Sequence, residues 1–131
     1  MAHETVDKGA HSELLAQTAL IANGYTIAKP VTPEPADLWV TAPGDDSTLI
    51  KIQVKTARRR LDREGQVVVY AKKNNGTTYT LSDCSFLIGI LDNEVYMFPN
   101  REIGEYWTTE DKLAEKWTHL PINFNRKGEI A

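Results

Sequence analysis

Apolar positions along the chain change their spacing in a way that separates helix from strand. Over residues 9–23, Leu15, Ala19 and Ala22, flanked by Leu14, Thr18 and Ile21, recur every three to four positions. That spacing aligns side chains on one helical face, and Asn23-Gly24 supplies a stop. Tyr25-Thr26-Ile27-Ala28 then reads as a short strand, after which Pro30, Pro33 and Pro35 withhold backbone donors and force an extended connection. Residues 37–41 form the next strand candidate, closed by Pro43-Gly44-Asp45-Asp46-Ser47. Over 48–57 the alternation is strict, with Ile50, Ile52 and Val54 on one face and Lys51, Gln53 and Lys55 on the other. Two hairpins are predicted beyond it. Residues 67–71 pair with 77–80 across Asn74-Asn75-Gly76, and 86–91 pair with 95–98 across Asp92-Asn93. A last helix over 109–117 has Thr108 or Thr109 as its cap, Glu110 and Asp111 in its first turn, and Lys112 and Lys116 toward its end, as the helix dipole favours. No internal repeat or low-complexity tract interrupts the pattern. Helix, five or six strands, helix predicts a single α/β (α+β) layer domain over residues 1–131.

The composition adds boundaries to that picture. With 131 residues, 41% apolar and 25% charged, the chain has the proportions of one soluble domain that needs no metal or disulfide to hold its core. A bound metal would therefore serve chemistry. No apolar run approaches the ~18 residues needed to cross a bilayer, and Met1-Ala2-His3-Glu4 lacks the features of a signal peptide. A cytoplasmic protein with no membrane partner is expected. The single cysteine, Cys84, suits a reducing compartment, excludes an internal disulfide and a multi-cysteine zinc site, and reads as a packed or surface thiol.

Charge is unevenly spread. Residues 51–73 hold eight basic groups against Asp62 and Glu64, a local +6 that leaves −9 for the rest of a chain totalling −3. Such segregation can hold a polyanion at one face while the remaining surface repels it. Arg58, Arg59, Arg60, Arg63, Lys72 and Lys73 are the candidate phosphate contacts, since guanidinium forks and ammonium groups match phosphate oxygens without reading base sequence. A solvated charged loop is the alternative.

The candidate chemistry combines Glu13 on the first helix, Asp37 at a strand start, and Gln53-Val54-Lys55 on the next strand. Gln53 and Lys55 leave the same sheet face about 7 Å apart. An antiparallel Asp37 strand, paired across the turn at Gly44, lets its carboxylate meet both, and Glu13 can approach from a helix packed over the sheet edge. This grouping suits metal-assisted phosphodiester hydrolysis. Mg²⁺ prefers oxygen ligands, so Asp37 is the anchor and Gln53 offers a carbonyl oxygen. Lys55 would orient the attacking water or neutralise charge on the phosphate.

Gly9-x-x-x-Glu13, Glu34-Pro35-Ala36-Asp37 and Ile52-Gln53-Val54-Lys55-Thr56 resemble the PD-(D/E)xK nuclease superfamily, above all its small intron-associated homing endonucleases, in which glutamine is found where most members carry Asp or Glu. The stretches 79–89 and 95–99 resemble that branch and archaeal Holliday-junction resolvases, so the likeness covers roughly 8–100 and leaves 101–131 as a C-terminal helix and tail. The resemblance implies a restriction-endonuclease-like core with a central mixed sheet of about five strands flanked by helices. It also implies DNA cleavage with Mg²⁺ or Mn²⁺, by a homodimer or homotetramer acting on double-stranded or branched DNA. Position by position, Asp37 matches the metal-binding aspartate, Gln53 the second acidic position, Lys55 the catalytic lysine and Glu13 the helix glutamate. Asp37, Gln53 and Glu13 are thereby the implied metal ligands. Ala36 stands where the motif has proline, and Gln53 removes a negative charge.

Three functions follow as expectations: a homing-type endonuclease, a Holliday-junction resolvase with the same site, and a non-cleaving DNA-binding or protein-interaction module on the same scaffold. His3, His11 and His119 show no metal-ligand spacing, His11 being at most an accessory to Glu13. Trp39, Trp107 and Trp117 are expected as core or interface anchors.

Overall fold

The computed structural model describes residues 3–124. Its first element, α1, spans Glu4–Ala22 and starts well before Gly9. The added turn has Val6 as its one apolar residue, exposed to solvent, and so leaves no apolar periodicity, but Glu4 and Asp7 place negative charge at the helix start, where the dipole favours it. The buried face is Ser12, Ala16, Ala19, Leu20 and Ala22, rotated from the predicted stripe, so that Leu14 and Ile21 project to solvent. Small residues on the inner face let α1 lie close over a sheet.

That sheet has six strands in the order β1, β2, β3, β6, β7, β9, namely Thr26–Ala28, Leu38–Ala42, Asp45–Thr56, Phe86–Leu91, Glu94–Pro99 and Thr118–Leu120. It is mixed, because β3 and β6 run parallel while every other neighbouring pair is antiparallel. The parallel pair forces a crossover, and the chain uses it to lay down two of the three strands of a second sheet. In that sheet β5 (Gln66–Tyr70) lies between β4 (Arg58–Arg60) and β8 (Glu105–Thr108). One core lies between α1 and the large sheet, around Leu20, Leu38, Val40, Ile52, Ile88 and Val95. The other includes Val67, Val69, Leu87, Phe98, Tyr106 and Trp117 and joins the two sheets.

Three expectations are corrected. The hairpin of 67–71 with 77–80 does not form as two paired strands. Val67, Val68 and Val69 are all fully buried, so β5 needs partners on both edges and finds β4 and β8. The partner segment is instead curled locally, the Asn75 side chain accepting from the Thr77 amide and hydroxyl, and a lone Lys72–Thr78 bridge is what remains of the pairing. The helix over 109–117 reduces to a 3-10 turn at Glu110–Lys112 and a four-residue α2 at Leu113–Lys116, with no side-chain cap from Thr109. Leu113 alone is buried within those seven positions, too little apolar surface to dock a longer helix. Residues 101–124 are accordingly more than helix and tail: they supply β8 to one sheet and β9 to the other, while the tail beyond 124 lies outside the described residues. The hairpin across Asp92-Asn93 forms as predicted, both residues taking positive φ.

Cys84 is fully buried, and burial pushes its thiol up to about 11, as suits a packing residue. Trp117 is buried and stacks on Phe98 with ring centroids 4.7 Å apart, Trp39 is half-buried, and Trp107 remains 43% exposed. Among the described residues no helix is long and apolar enough to cross a membrane.

Candidate active site

The site begins with the β2–β3 hairpin. Gly44, at φ 79°, closes the turn in a conformation that favours glycine, and the antiparallel register sets Leu38 against Ile52. Asp37 lies just ahead of that first pair, beside the start of the Gln53-Val54-Lys55 run. The backbone fixes it there from both sides: the Asp37 amide donates to the Ile52 carbonyl at 3.0 Å, and the Val54 amide donates to the Asp37 carboxylate at 3.0 Å. Ile52 and Val54 point into the core beneath α1, so Gln53 and Lys55 leave the opposite face.

There they border an open concavity of about 520 Å³ with Pro35, Lys73, Asn74, Asn75 and Tyr79. The Lys55 ammonium sits 5.3 Å from the centre of the Tyr79 ring, which holds the long side chain at the edge of the concavity. Gln53 is only 8% exposed, and its side-chain oxygen has no hydrogen-bond partner. That is an unusual arrangement for a buried polar atom.

Glu13 reaches the group from α1. Its carboxylate pairs with Lys29 at 3.1 Å, just beyond the end of β1. Burial pushes the Asp37 carboxyl above its ordinary range, the Val54 amide opposes that, and the negative charge of Glu13 adds to the rise while Lys55 and Lys29 reduce it. Charges on Glu13, Lys29 and Lys55 therefore all fall within electrostatic reach of Asp37. A hydrogen bond of 2.8 Å between Ser12 and Thr56 ties α1 to β3, joining the immediate neighbours of Glu13 and Lys55. Asp37, Gln53 and Lys55 thus sit at one end of the β2–β3 hairpin with Glu13 in electrostatic reach of Asp37, while the concavity itself is lined by Gln53 and Lys55 and not by Asp37 or Glu13. Their oxygen set, two carboxylates and one amide, suits a hard divalent cation. Among the described residues no group of three or more His, Cys, Asp and Glu side chains offers a metal site, so the amide of Gln53 would have to complete this one.

A family model described as PD-(D/E)XK endonuclease matches residues 3–119. The chain belongs to the PD-(D/E)XK endonuclease family. In the motif that names the family, this PD-(D/E)XK endonuclease carries Ala36-Asp37 and Gln53-Val54-Lys55, and α1 with Glu13 falls inside the matched span. Among solved structures it is similar to a bacterial homing endonuclease, I-Ssp6803I, with a TM-score of 0.62 and 22% identity over 84% of this chain and 78% of that one. That likeness establishes a shared fold. No curated protein matches the chain.

The six basic residues proposed from sequence do not gather in one place. Arg59 pairs with both Asp92 and Glu110, and Arg60 with Asp62 and the Tyr70 hydroxyl. Arg63 pairs with Glu105 at 2.9 Å and Lys73 with Asp83 at 2.5 Å. Arg58 and Lys72 are exposed instead and border a groove of about 460 Å³ with Lys8 and Lys55. Sequence reasoning missed Lys8. It lies one turn before Ser12 and so shares that residue's side of α1, a signal that becomes readable only once the helix is known to begin at Glu4. His11 borders a neighbouring hollow with Lys8, Ser12 and Arg58, and His119 pairs with Glu94 far from this group in the fold, on β9.

Proposed function

We propose that this endonuclease is a divalent-metal-dependent, homing-type enzyme that hydrolyses phosphodiester bonds of double-stranded DNA at Glu13, Asp37, Gln53 and Lys55. The observation that carries the reading is the unpartnered, buried side-chain oxygen of Gln53, one residue before the Val54 amide that clamps the Asp37 carboxylate. A buried acceptor left without a donor costs about 1–3 kcal/mol, which an oxygen-seeking cation would offset. Asp37 and Gln53 would hold that cation, with Glu13 supplying the second carboxylate. Mg²⁺ or Mn²⁺ bound there supplies Lewis acidity and neutralises charge at the scissile phosphate.

The chain's own residues do the remaining work. The Val54 amide fixes the Asp37 carboxylate, and the Asp37 amide, donating to the Ile52 carbonyl, anchors the backbone that carries it, so no reorganisation is needed at the moment of reaction. Lys55, steadied over Tyr79, directs its ammonium toward the concavity, where it orients the attacking water or balances charge gathering on the phosphate oxygens. The water oxygen gives up a proton to solvent and bonds to phosphorus as the bond to the leaving oxygen breaks, and that oxygen takes up a proton from solvent, so the protons balance. The described residues hold one such cluster, so cutting both strands of a duplex calls for two copies.

The test is incubation of the purified chain with a randomised duplex library and with four-way junctions, in Mg²⁺, in Mn²⁺ and in EDTA. Cutting is expected with metal only, and is expected to vanish in Asp37→Asn and Lys55→Met, whose folding is followed by circular dichroism. Gln53→Glu is expected to bind Mn²⁺ more tightly by calorimetry. Undiminished cutting by Asp37→Asn or Lys55→Met would refute the assigned roles. The pairing of only two carboxylates with an amide favours a second reading, a scaffold that binds DNA without cutting it. Binding of DNA with no cleavage of any substrate in either metal would select that one. Preference for the junctions would select a resolvase.

A further inference from the structure

The groove beside Lys55 is lined by Lys8 and Thr5 from α1, Lys55 from β3, Arg58 at the start of β4, Tyr70 at the end of β5 and Lys72 just beyond it. Four cations face it and no carboxylate does. The contrast with the rest of the basic segment is sharp, because Arg59, Arg60, Arg63 and Lys73 each have a carboxylate partner in the fold. Lys8, Arg58 and Lys72 are exposed, and among the described residues none of the three has a carboxylate within ion-pair distance. Lys72 is also directed. Its stem crosses Gly104 so closely that a Cβ there would lie 2.6 Å from Lys72 Cε and 3.4 Å from Cγ. The groove opens from the residue placed at the reacting phosphate, so whatever anion fills it is continuous with that phosphate.

We propose that Lys8, Arg58 and Lys72 form a track for the DNA backbone phosphates flanking the scissile one, and that Arg59, Arg60, Arg63 and Lys73 hold the fold together without touching DNA. This inference rests on the nuclease reading for Lys55 alone. Each duplex phosphate that a binding protein no longer neutralises flattens the dependence of log affinity on log salt concentration by about 0.9, whereas removing a structural ion pair leaves that dependence unchanged.

The experiment measures binding of a 30-base-pair duplex across a salt series in EDTA, so that cleavage plays no part. The combined Lys8→Gln, Arg58→Gln, Lys72→Met variant is expected to lose roughly 3 from the slope, and Arg60→Gln with Arg63→Gln to lose nothing. Gly104→Ala serves as a charge-neutral control. It should displace the Lys72 ammonium and lower the slope by up to about 1 with every charge retained. An unchanged slope in the triple variant, or an equal loss in the Arg60/Arg63 variant, overturns the track. Failure of the chain to bind any duplex at 50 mM salt overturns it as well. Metal-dependent cutting with an unchanged triple-variant slope would leave the nuclease standing and the track refuted. Track-dependent binding with no cutting in any metal would do the reverse.

Discussion

The bond between Ser12 and Thr56 offers a sharp test of how the site is assembled, because its two ends sit in different surroundings. Both residues border the open groove, but Ser12 is only 4% exposed on the inner face of α1 whereas Thr56 is half-buried. Thr56→Val leaves the Ser12 hydroxyl without its partner and with little access to water. An orphaned buried hydroxyl costs about 1–3 kcal/mol, and the escape open to a helical serine, donation to the carbonyl four residues back, brings the expected loss to about 1–2 kcal/mol. Ser12→Ala leaves the Thr56 hydroxyl beside groove water, so its loss lies near the low end. Alanine also favours a helix interior over serine by about 0.5 kcal/mol. The net cost of Ser12→Ala is then about 0–1 kcal/mol.

Urea unfolding followed by the fluorescence of buried Trp117 reads these differences as shifts in midpoint at constant slope. The ordering is the prediction: Thr56→Val costs about 1 kcal/mol more than Ser12→Ala, and the double variant costs less than their sum by about 1 kcal/mol, since removing both hydroxyls leaves nothing unsatisfied. A larger loss for Ser12→Ala, or strict additivity, would refute the reasoning that a hydroxyl with little access to water on the helix side closes this joint.

Gly89 stands opposite Lys55 in the parallel register, and a Cβ added there would meet Val69 Cγ2 at 2.9 Å, so Gly89→Ala is expected to destabilise by about 0.5–2 kcal/mol, overpacking outweighing the entropy gained from losing a glycine. Thermal unfolding checks this, and Val69→Ala in the same chain should recover part of the loss; no recovery would mean the two sheets do not touch there. Asn100 donates to the carbonyls of Tyr79, Thr80 and Cys84 behind the ring that steadies Lys55. Asn100→Asp would turn a carboxylate toward those three oxygens, at a cost of about 3 kcal/mol or more at pH 7. Its folded-state pKa would be raised, so the stability of the protonated form is present below the unfolded value of about 3.9 and lost as pH rises through the folded one. The deficit relative to wild type should therefore shrink on acidification, and a pH-independent deficit would sink the argument.

Much of the fold was legible because the decisive patterns are local. The alternation through Ile50, Ile52 and Val54 specifies which face of β3 is core, and Asp92-Asn93 specifies a tight hairpin by its backbone preference. Asp37 and Gln53 were readable together for the same reason, since they lie on the two arms of one hairpin. What escaped is non-local. Three adjacent valines in β5 announce a fully buried strand but not its neighbours, and β8, the neighbour on one edge, comes from beyond residue 100. Glu13 depended on resemblance, because nothing in an isolated helix says that its glutamate will meet a strand end.

The charge run divides in the fold, and the division says how the acidic remainder of the chain is used. Eight cations over residues 51–73 read as one footprint, yet Asp92 and Glu110 reach Arg59 from 33 and 51 residues away, Glu105 reaches Arg63 from 42 away, Asp83 takes Lys73, and Asp62 within the run takes Arg60. These acids neutralise the arginines that link the small sheet to its surroundings. They are part of the same arrangement as the basic segment rather than a separate repelling surface. Lys51, over the Trp39 ring at 5.6 Å, is turned to packing as well. After those pairings the groove keeps Lys55, Arg58 and Lys72 from the segment and gains Lys8 from outside it. Neutralising about eight phosphates would give the unmodified protein a salt slope near −7, and neutralising about four gives one near −4. A measured slope at the steeper value would mean that the ion pairs open to meet DNA, and that the division between structural and ligand-facing cations drawn from the fold does not survive binding.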